Sequence, residues 1–342
     1  MKAIVLESKN RFKLVEVPLP EIEENEVSIK IDSCGLCGTD VEIYDGVIPV
    51  EFPVIIGHEF TGVVERTGEK VKKFKKGNPV TANLATGCGD CEYCQKGQEN
   101  LCATFPRYPG FRPDASGAFA EYIKVNENSL YHIPPSVDLE TASLIEPLSC
   151  CIHALDIAEV KVGDSVIIFG AGTIGLLMTQ LVRMSGASNI IIIEKKGKRR
   201  KRASLLGADI ALKEFAIDKE KPIDNAFEGK VDVVLECAGN PQTQEEAVLL
   251  VKPGGKVVLF GVADPQTEIK VNSFDIYRNE ITLRGTFANP YTTSRAIQVL
   301  SEGRIRTKEL LTHRFGLSDF GAAIETYKKD DERVKILIKP AT

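Results

Sequence analysis

No stretch of this 342-residue chain reaches the roughly 18 consecutive apolar residues that a membrane-spanning helix needs, so no membrane partner is expected. An excess of positive charge is lacking as well. The formal net charge is -5 and the pI is near 5.6, whereas neutralising phosphates takes a basic face, so no nucleic-acid partner is expected either. Lys195 to Arg202 is the one basic run, and it reads as a solvated helix face, with contact of part of it to a ligand phosphate as the alternative. The first residues, Met1-Lys2-Ala3-Ile4-Val5-Leu6-Glu7, do not form the longer apolar stretch of a secretory leader, and the cytoplasm is the expected compartment. What is present is a globular composition, 43% hydrophobic and 27% charged, at a length that suits about two domains. Nine cysteines are also present, and their Cys-x-x-Cys clustering in a leaderless chain points to metal rather than disulfides.

Two stretches carry candidate metal ligands. Cys37 opens a Cys-Gly-Thr-Asp run, and Gly57-His58-Glu59 follows about twenty residues later. Thiolate, imidazole and carboxylate form a mixed soft and hard set that suits zinc, and three protein ligands leave one position for water or substrate. Cys88-x-x-Cys91-x-x-Cys94 with Cys102 beyond offers four thiolates and no open position, the closed set of a structural zinc; an iron–sulfur cluster is the rival reading. This second group lies in residues 83 to 117, which have little periodicity and are expected to be a long loop needing such a staple. Glu146, in the otherwise apolar stretch after Leu139, needs a partner. It is expected to be either a fourth ligand of the first zinc or a group holding the zinc-bound water, with an internal salt bridge as the alternative.

Short strand-like runs fill the first part of the chain, at Lys2 to Leu6, Lys13 to Glu16, Val27 to Asp32, Phe60 to Glu65 and Ala118 to Tyr131. A helix is expected from about Leu139. At Ser165 the character changes. The continuous apolar run Val166-Ile167-Ile168-Phe169 enters Gly170-Ala171-Gly172-Thr173-Ile174-Gly175, a helical stretch Leu176 to Met184 follows, and a second strand Ile190 to Ile193 ends on Glu194. A glycine turn between strand and helix puts backbone N–H groups on a pyrophosphate, and an acidic residue about twenty positions on accepts from ribose hydroxyls. Further strands at Val231 to Glu236, Lys256 to Phe260 and Ile281 to Arg284, with a helix at Gln242 to Val251, complete a doubly wound sheet. Helices at Ser294 to Ser301 and Asp319 to Tyr327 and a strand at Val334 to Ile338 read as a return to the first domain.

Taken together, these residues resemble the zinc-dependent medium-chain dehydrogenases/reductases over essentially the whole chain, and within them the sorbitol and other polyol dehydrogenases. The Cys37 run, Gly57-His58-Glu59, the four-cysteine lobe, Glu146-Pro147-Leu148 and the glycine turn before Glu194 fall in that family's order. The resemblance implies an α/β protein with a GroES-like β-rich zinc catalytic domain over 1–150 and 288–342. A Rossmann domain, a doubly wound parallel sheet binding NAD, takes 151–287. It implies two zinc ions per chain, one catalytic on Cys37, His58 and Glu59 with Glu146 beside them, and one structural. It places Ile174, Glu194 and Arg199, with Gly170, Gly172 and Gly175, on the adenosine side of NAD, and the backbones of Phe260, Gly261 and Val262 and of Phe287, Ala288 and Asn289 beside the nicotinamide. Thr39 is the expected first proton acceptor. Two residues depart from the family pattern: Glu42 stands where many relatives have a relay histidine, and Ala288 where sorbitol dehydrogenases have an arginine. The expected reaction is hydride transfer from a secondary alcohol to NAD, with a homo-oligomer, dimer or tetramer, as the assembly. An L-threonine-type amino-alcohol dehydrogenase is the nearer alternative, and a non-catalytic binding or redox-sensing module is the distant one.

Overall fold

The computed structural model describes residues 1–104, 117–214 and 230–340. These divide into two compact units, Met1–Ser149 with Ala288–Thr342 and Cys150–Phe287 between them.

The first unit begins with a hairpin of Lys2–Ser8 (β1) and Arg11–Glu16 (β2). Glu26–Leu36 (β3) is the long central strand, and its length lets it pair with several partners. Gly38–Asp45 (α1) follows directly, then Glu59–Thr67 (β4) and Pro79–Ala82 (β5). Within the expected loop the described part, up to Thr104, holds one short helical turn, Glu92–Gln95 (α2), and a 3₁₀ turn at Glu99–Leu101; residues 105–116 lie outside the described residues. The Ala118 to Tyr131 run is Tyr122–Asn126 (β6) and Leu130–His132 (β7), separated by a 3₁₀ turn rather than continuous.

The helix expected from Leu139 is two helices, Leu139–Ala142 (α3) and Ile145–Ala158 (α4). Asp138 caps the first, its carboxylate accepting from the Thr141 N–H at 2.9 Å. Pro147 does not break α4, because it sits in the first turn, where the missing N–H has no intrahelical carbonyl to lose.

The second unit carries Ser165–Phe169 (β8), Thr173–Met184 (α5), Asn189–Ile193 (β9), Gly197–Leu205 (α6), Ile210–Leu212 (β10), Val231–Glu236 (β11), Pro241–Leu250 (α7), Val251–Leu259 (β12), Ser273–Arg278 (α8) and Thr282–Gly285 (β13). The strands form one six-stranded sheet in the order β10-β9-β8-β11-β12-β13, parallel throughout. Both faces are covered, and β8 is buried along its whole length, which is why it reads as an unbroken apolar run. Ile167, Phe169, Ile191, Val234 and Val257 form the core with Val248 of α7.

The chain then returns to the first unit with Thr293–Ser301 (α9), Leu311–Gly316 (β14), Phe320–Lys329 (α10) and Lys335–Lys339 (β15). The second sheet runs β14-β15-β3-β4-β5-β7, with β6 also on β3. Phe320 of α10 is fully buried and lies 5.2 Å, ring to ring, from Phe119. The last segment is therefore part of the core around β3 rather than an appendage.

Candidate active site and metal centres

Strand β3 ends just before Cys37, which serves as the N-cap of α1. Asp40, three residues on and fully buried, accepts from the Cys37 N–H at 2.9 Å through one carboxylate oxygen. Its other oxygen faces His58 Nδ1 at 3.4 Å. The carboxylate charge at this distance favours a proton on Nδ1, which would leave Nε2 for a metal. His58 precedes β4, whose first residue is Glu59, 1% exposed. The donor atoms of Cys37, His58 and Glu59 all lie within 4.8 Å of one another.

Glu59 is not held by this group alone. Its carboxylate pairs with the ammonium of Lys335, the first residue of β15, which also donates to the Leu36 carbonyl at 3.3 Å. The carboxylate lies over Gly35, its pairing partner across the β3–β4 ladder, where any Cβ would come 2.1 Å from Glu59 Oε2. Glycine is required there for close approach. Burial opposes the charge of Lys335, yet Glu59 and Cys37 outweigh it and hold its pKa above the ordinary lysine value. Burial likewise opposes a proton on His58, and Asp40 outweighs it, so this pKa is also raised. Burial, with Glu59 next, pushes the Cys37 thiol up. The two rises come from the neighbouring acidic groups, Asp40 on His58 and Glu59 with Cys37 on Lys335, so the anionic side chains here are already paired with buried cations or protons. Thiolate, imidazole and carboxylate at this spacing fit a zinc ion with one position left over.

Thr39 stands beside Cys37 in the first turn of α1 and is half-buried. Glu146, also half-buried, is the second residue of α4; the set of mutually close donor atoms does not include it. Glu42 is half-buried, with one carboxylate oxygen buried and without a hydrogen-bond partner among the described residues, and burial raises its pKa.

The Sγ atoms of Cys88, Cys91, Cys94 and Cys102 also lie within 4.8 Å of one another, where sulfurs tetrahedral about zinc at ~2.3 Å would sit about 3.8 Å apart. Backbone N–H groups point at the sulfurs, Cys88 to Cys102 at 3.3 Å and Cys91 to Cys88 at 3.4 Å. The Thr104 hydroxyl, with the N–H groups of Cys88 and Thr104, brings the Cys102 thiol down to about 6, while burial and the neighbouring sulfurs push the Cys94 thiol up to about 12, so the four sulfurs cannot all be thiolates without a cation between them. A Cβ at Gly87 would lie 2.4 Å from Cys94 Sγ. Four thiolates fit a closed zinc site.

In the second unit Gly170 has φ +87, a left-handed conformation that favours glycine. A Cβ at Gly175 would meet the Gly170 carbonyl at 1.9 Å, while one at Gly172, the N-cap of α5, would meet nothing within 4 Å. The turn is thus tight on one side and open at the helix start, where the first-turn backbone would face a phosphate. Ile174 lies in the first turn of α5. Glu194 follows β9 and is 9% exposed. One of its oxygens accepts from the Ala171 N–H at 2.9 Å and the other from Lys196 at 2.8 Å, so the acidic residue is fastened to the glycine turn itself. Arg199 of α6 turns inward, 7% exposed, with its guanidinium 4.0 Å from that carboxylate. Phe260, Gly261 and Val262 follow β12, and Val262 is exposed. Phe287, exposed, ends this unit. Ala288 and Asn289 begin the returning segment of the first unit, Ala288 with φ +56 and Asn289 buried and donating to the Ser149 hydroxyl at 2.6 Å.

Sequence reasoning gave no role to Asp40, Lys335 or Gly35. Asp40 was within reach, being part of the Cys-Gly-Thr-Asp run; no local signal marks Lys335.

Residues 23–135 match the Alcohol dehydrogenase GroES-like domain and residues 173–302 the Zinc-binding dehydrogenase domain. The chain belongs to the zinc-binding alcohol dehydrogenase family. It is an oxidoreductase with the GroES-like and Rossmann pairing that these domains imply. The dehydrogenase is 34% identical to a sorbitol dehydrogenase of Bacillus subtilis over 99% of its own length and 97% of the relative. It is 33% identical to an L-threonine 3-dehydrogenase of Bacillus velezensis, covering 99% of each chain. Among solved structures it is similar to a zinc-binding dehydrogenase of Sinorhizobium meliloti bound to NADP, with a TM-score of 0.94, 34% identity and 99% of each chain covered.

Proposed function

We propose that this dehydrogenase oxidises a secondary alcohol of a sugar alcohol or related polyol, passing hydride to NAD. The observation that carries the reading is the convergence of Cys37, His58 and Glu59 in one buried group backed by Asp40 and Lys335. The first unit is then the catalytic domain and the second the dinucleotide domain. The catalytic zinc is held by Cys37, His58 and Glu59, and a structural zinc by Cys88, Cys91, Cys94 and Cys102.

Bound at the first group, zinc would supply Lewis acidity that lowers the pKa of an alcohol hydroxyl. Asp40 keeps the His58 ring oriented, and Lys335 balances the Glu59 carboxylate. Thr39 takes the proton that leaves the hydroxyl and hands its own hydroxyl proton on toward the cofactor ribose, so it acts as a relay and not as the final acceptor. Glu146, outside the donor group, holds the substrate hydroxyl or a water rather than acting as a constant ligand. At the cofactor, Glu194 keeps lone pairs free for ribose hydroxyls after accepting one N–H on each oxygen; Ile174 and Arg199 line the same side. The backbones of Phe260 to Val262 and Phe287 to Asn289 border the nicotinamide.

Identity hardly separates the polyol reading from the threonine one, since the two relatives differ little. A screen of NAD reduction over sugar alcohols, inositols, sugar acids, diols and L-threonine decides between them. A kcat/KM for L-threonine above that for every polyol would overturn the proposal.

We place the enzyme in the cytoplasm, on the clustering of Cys88, Cys91, Cys94 and Cys102 as free thiols set for a metal, which suits a reducing compartment. We also propose a homo-oligomer. Among the described residues β13 is an edge strand paired only with β12, and Phe274 and Tyr277 of α8 are 63% and 78% exposed. An open edge with apolar side chains nearby invites a second chain. Light scattering that finds only monomer would refute this.

A further inference from the structure

Strand β11 ends on Glu236, which has no exposure to solvent. A carboxylate buried this deeply is costly unless it is fully partnered. Oε1 accepts from the N–H groups of Ala238 at 2.9 Å and Gly239 at 3.1 Å and lies 2.8 Å from the Thr243 hydroxyl, whose one proton it shares with the Asn240 carbonyl, also at 2.8 Å, and Oε2 accepts from Gly239 at 3.2 Å. The main-chain carbonyl of the same residue accepts from Phe260 and Gly261, both at 2.8 Å. One residue therefore fastens the loop after β11, the start of α7 and the turn after β12.

These segments are packed without slack. A Cβ at Gly239 would lie 2.1 Å from the Val262 carbonyl oxygen, and one at Gly261 would lie 2.0 Å from the Gly239 nitrogen. The Cys237 N–H donates to the Phe169 carbonyl at 3.0 Å, so the β11 loop is also fixed to the end of β8, where the glycine turn begins. In the strand order, β9 with Glu194 lies on one side of β8, and β11 and β12 lie on the other. A dinucleotide crossing the C-terminal ends of the strands with its pyrophosphate at the glycine turn has its adenosine ribose at Glu194. Its nicotinamide half must then lie over the loops that Glu236 fastens.

We propose, resting on the dinucleotide reading above, that Glu236 is a positioning residue for the nicotinamide half of the cofactor, acting through the loops after β11 and β12 and touching no reacting atom. The adenosine half does not depend on it.

The test compares two ligands on the zinc-loaded enzyme. NADH binding is followed by the ligand's own fluorescence and the binding of ADP, which lacks the nicotinamide nucleoside, by calorimetry, for wild type, Glu236→Ala, Glu236→Gln and Thr243→Val. Glutamine would turn an amide N–H toward backbone N–H donors, so it is not expected to rescue. The alanine and glutamine variants should bind NADH about tenfold more weakly, the equivalent of one charge-assisted hydrogen bond, and ADP within about twofold of wild type. Thr243→Val, which removes one partner and keeps the carboxylate, should show the same selective loss on a smaller scale, and it carries the test if the Glu236 variants do not fold. Equal loss for both ligands, or no loss for NADH, overturns the role of Glu236 and leaves the dinucleotide reading standing. A wild-type enzyme that binds neither ligand overturns both.

Discussion

Lys335 and Glu59 form a buried ion pair beside the proposed catalytic metal, with side chains 3% and 1% exposed. Removing one partner of such a pair leaves a buried charge and costs about 3 kcal/mol or more. Lys335→Met is therefore expected to lose about 3 kcal/mol by denaturant unfolding of zinc-stripped protein, and clearly less when zinc is bound, because the ion offers Glu59 a second cation. Equal losses in the two states would show that Glu59 is not a zinc ligand. Glu146 behaves differently. His58→Ala should abolish turnover together with the zinc, whereas Glu146→Gln should keep most of the metal and lose on the order of tenfold to a hundredfold in kcat/KM. A Glu146→Gln protein as zinc-poor as His58→Ala would make Glu146 an obligatory ligand.

At the scale of elements, the four-cysteine lobe contains only one short helical turn and a 3₁₀ turn in its described part, so its shape has to come from the metal, whose binding energy is then folding energy. Cys91→Ser should lower the melting temperature and leave about one zinc per chain; unchanged zinc content, or iron in the wild type, would defeat the assignment. Helix α3 is tied to the returning strands by Glu140, which pairs with Arg314 of β14 and with Lys339 of β15 at 2.6 and 2.7 Å. Arg314 first, and Lys339 with it, hold the Glu140 carboxyl down to about 2 from an ordinary 4.5. A folded-state value below the unfolded one gives stability that is complete above about pH 4.5 and is lost as pH falls toward 2. The melting temperature of Glu140→Gln should accordingly lie below that of wild type at neutral pH and converge with it on acidification. The pair is partly exposed, so the gap should be small and should shrink in salt. A gap that widened toward low pH would contradict the pairing.

For the whole molecule, the preference between cofactors follows from Glu194. In the proposed reading its carboxylate, fixed to the glycine turn through the Ala171 N–H, would accept from a ribose 2′-hydroxyl and repel a 2′-phosphate. NAD should exceed NADP in kcat/KM, with Lys195 and Arg200 near enough in sequence to soften the difference; NADP equal or better would refute it. That a similar solved structure carries NADP makes this measurement worth doing early.

The sequence by itself determined those features whose parts are neighbours along the chain. Cys88 to Cys102 span a single short stretch, and the glycine turn sits between its strand and its helix, so spacing alone conveyed the chemistry. The strands β8 and β9 were legible because burial on both faces leaves unbroken apolar runs. The strands β5, β10 and β14 were not, being short or only half-buried, and the break between α3 and α4 was missed because the apolar pattern runs through it. Only the tertiary structure decided that Lys335, 276 residues from Glu59, supplies its counter-charge, and that Gly35 leaves room for the Glu59 carboxylate. It likewise decided that Glu236 binds two loops with one carboxylate and one carbonyl. Such partners are chosen by strand pairing and burial, which bring together groups that no local pattern connects.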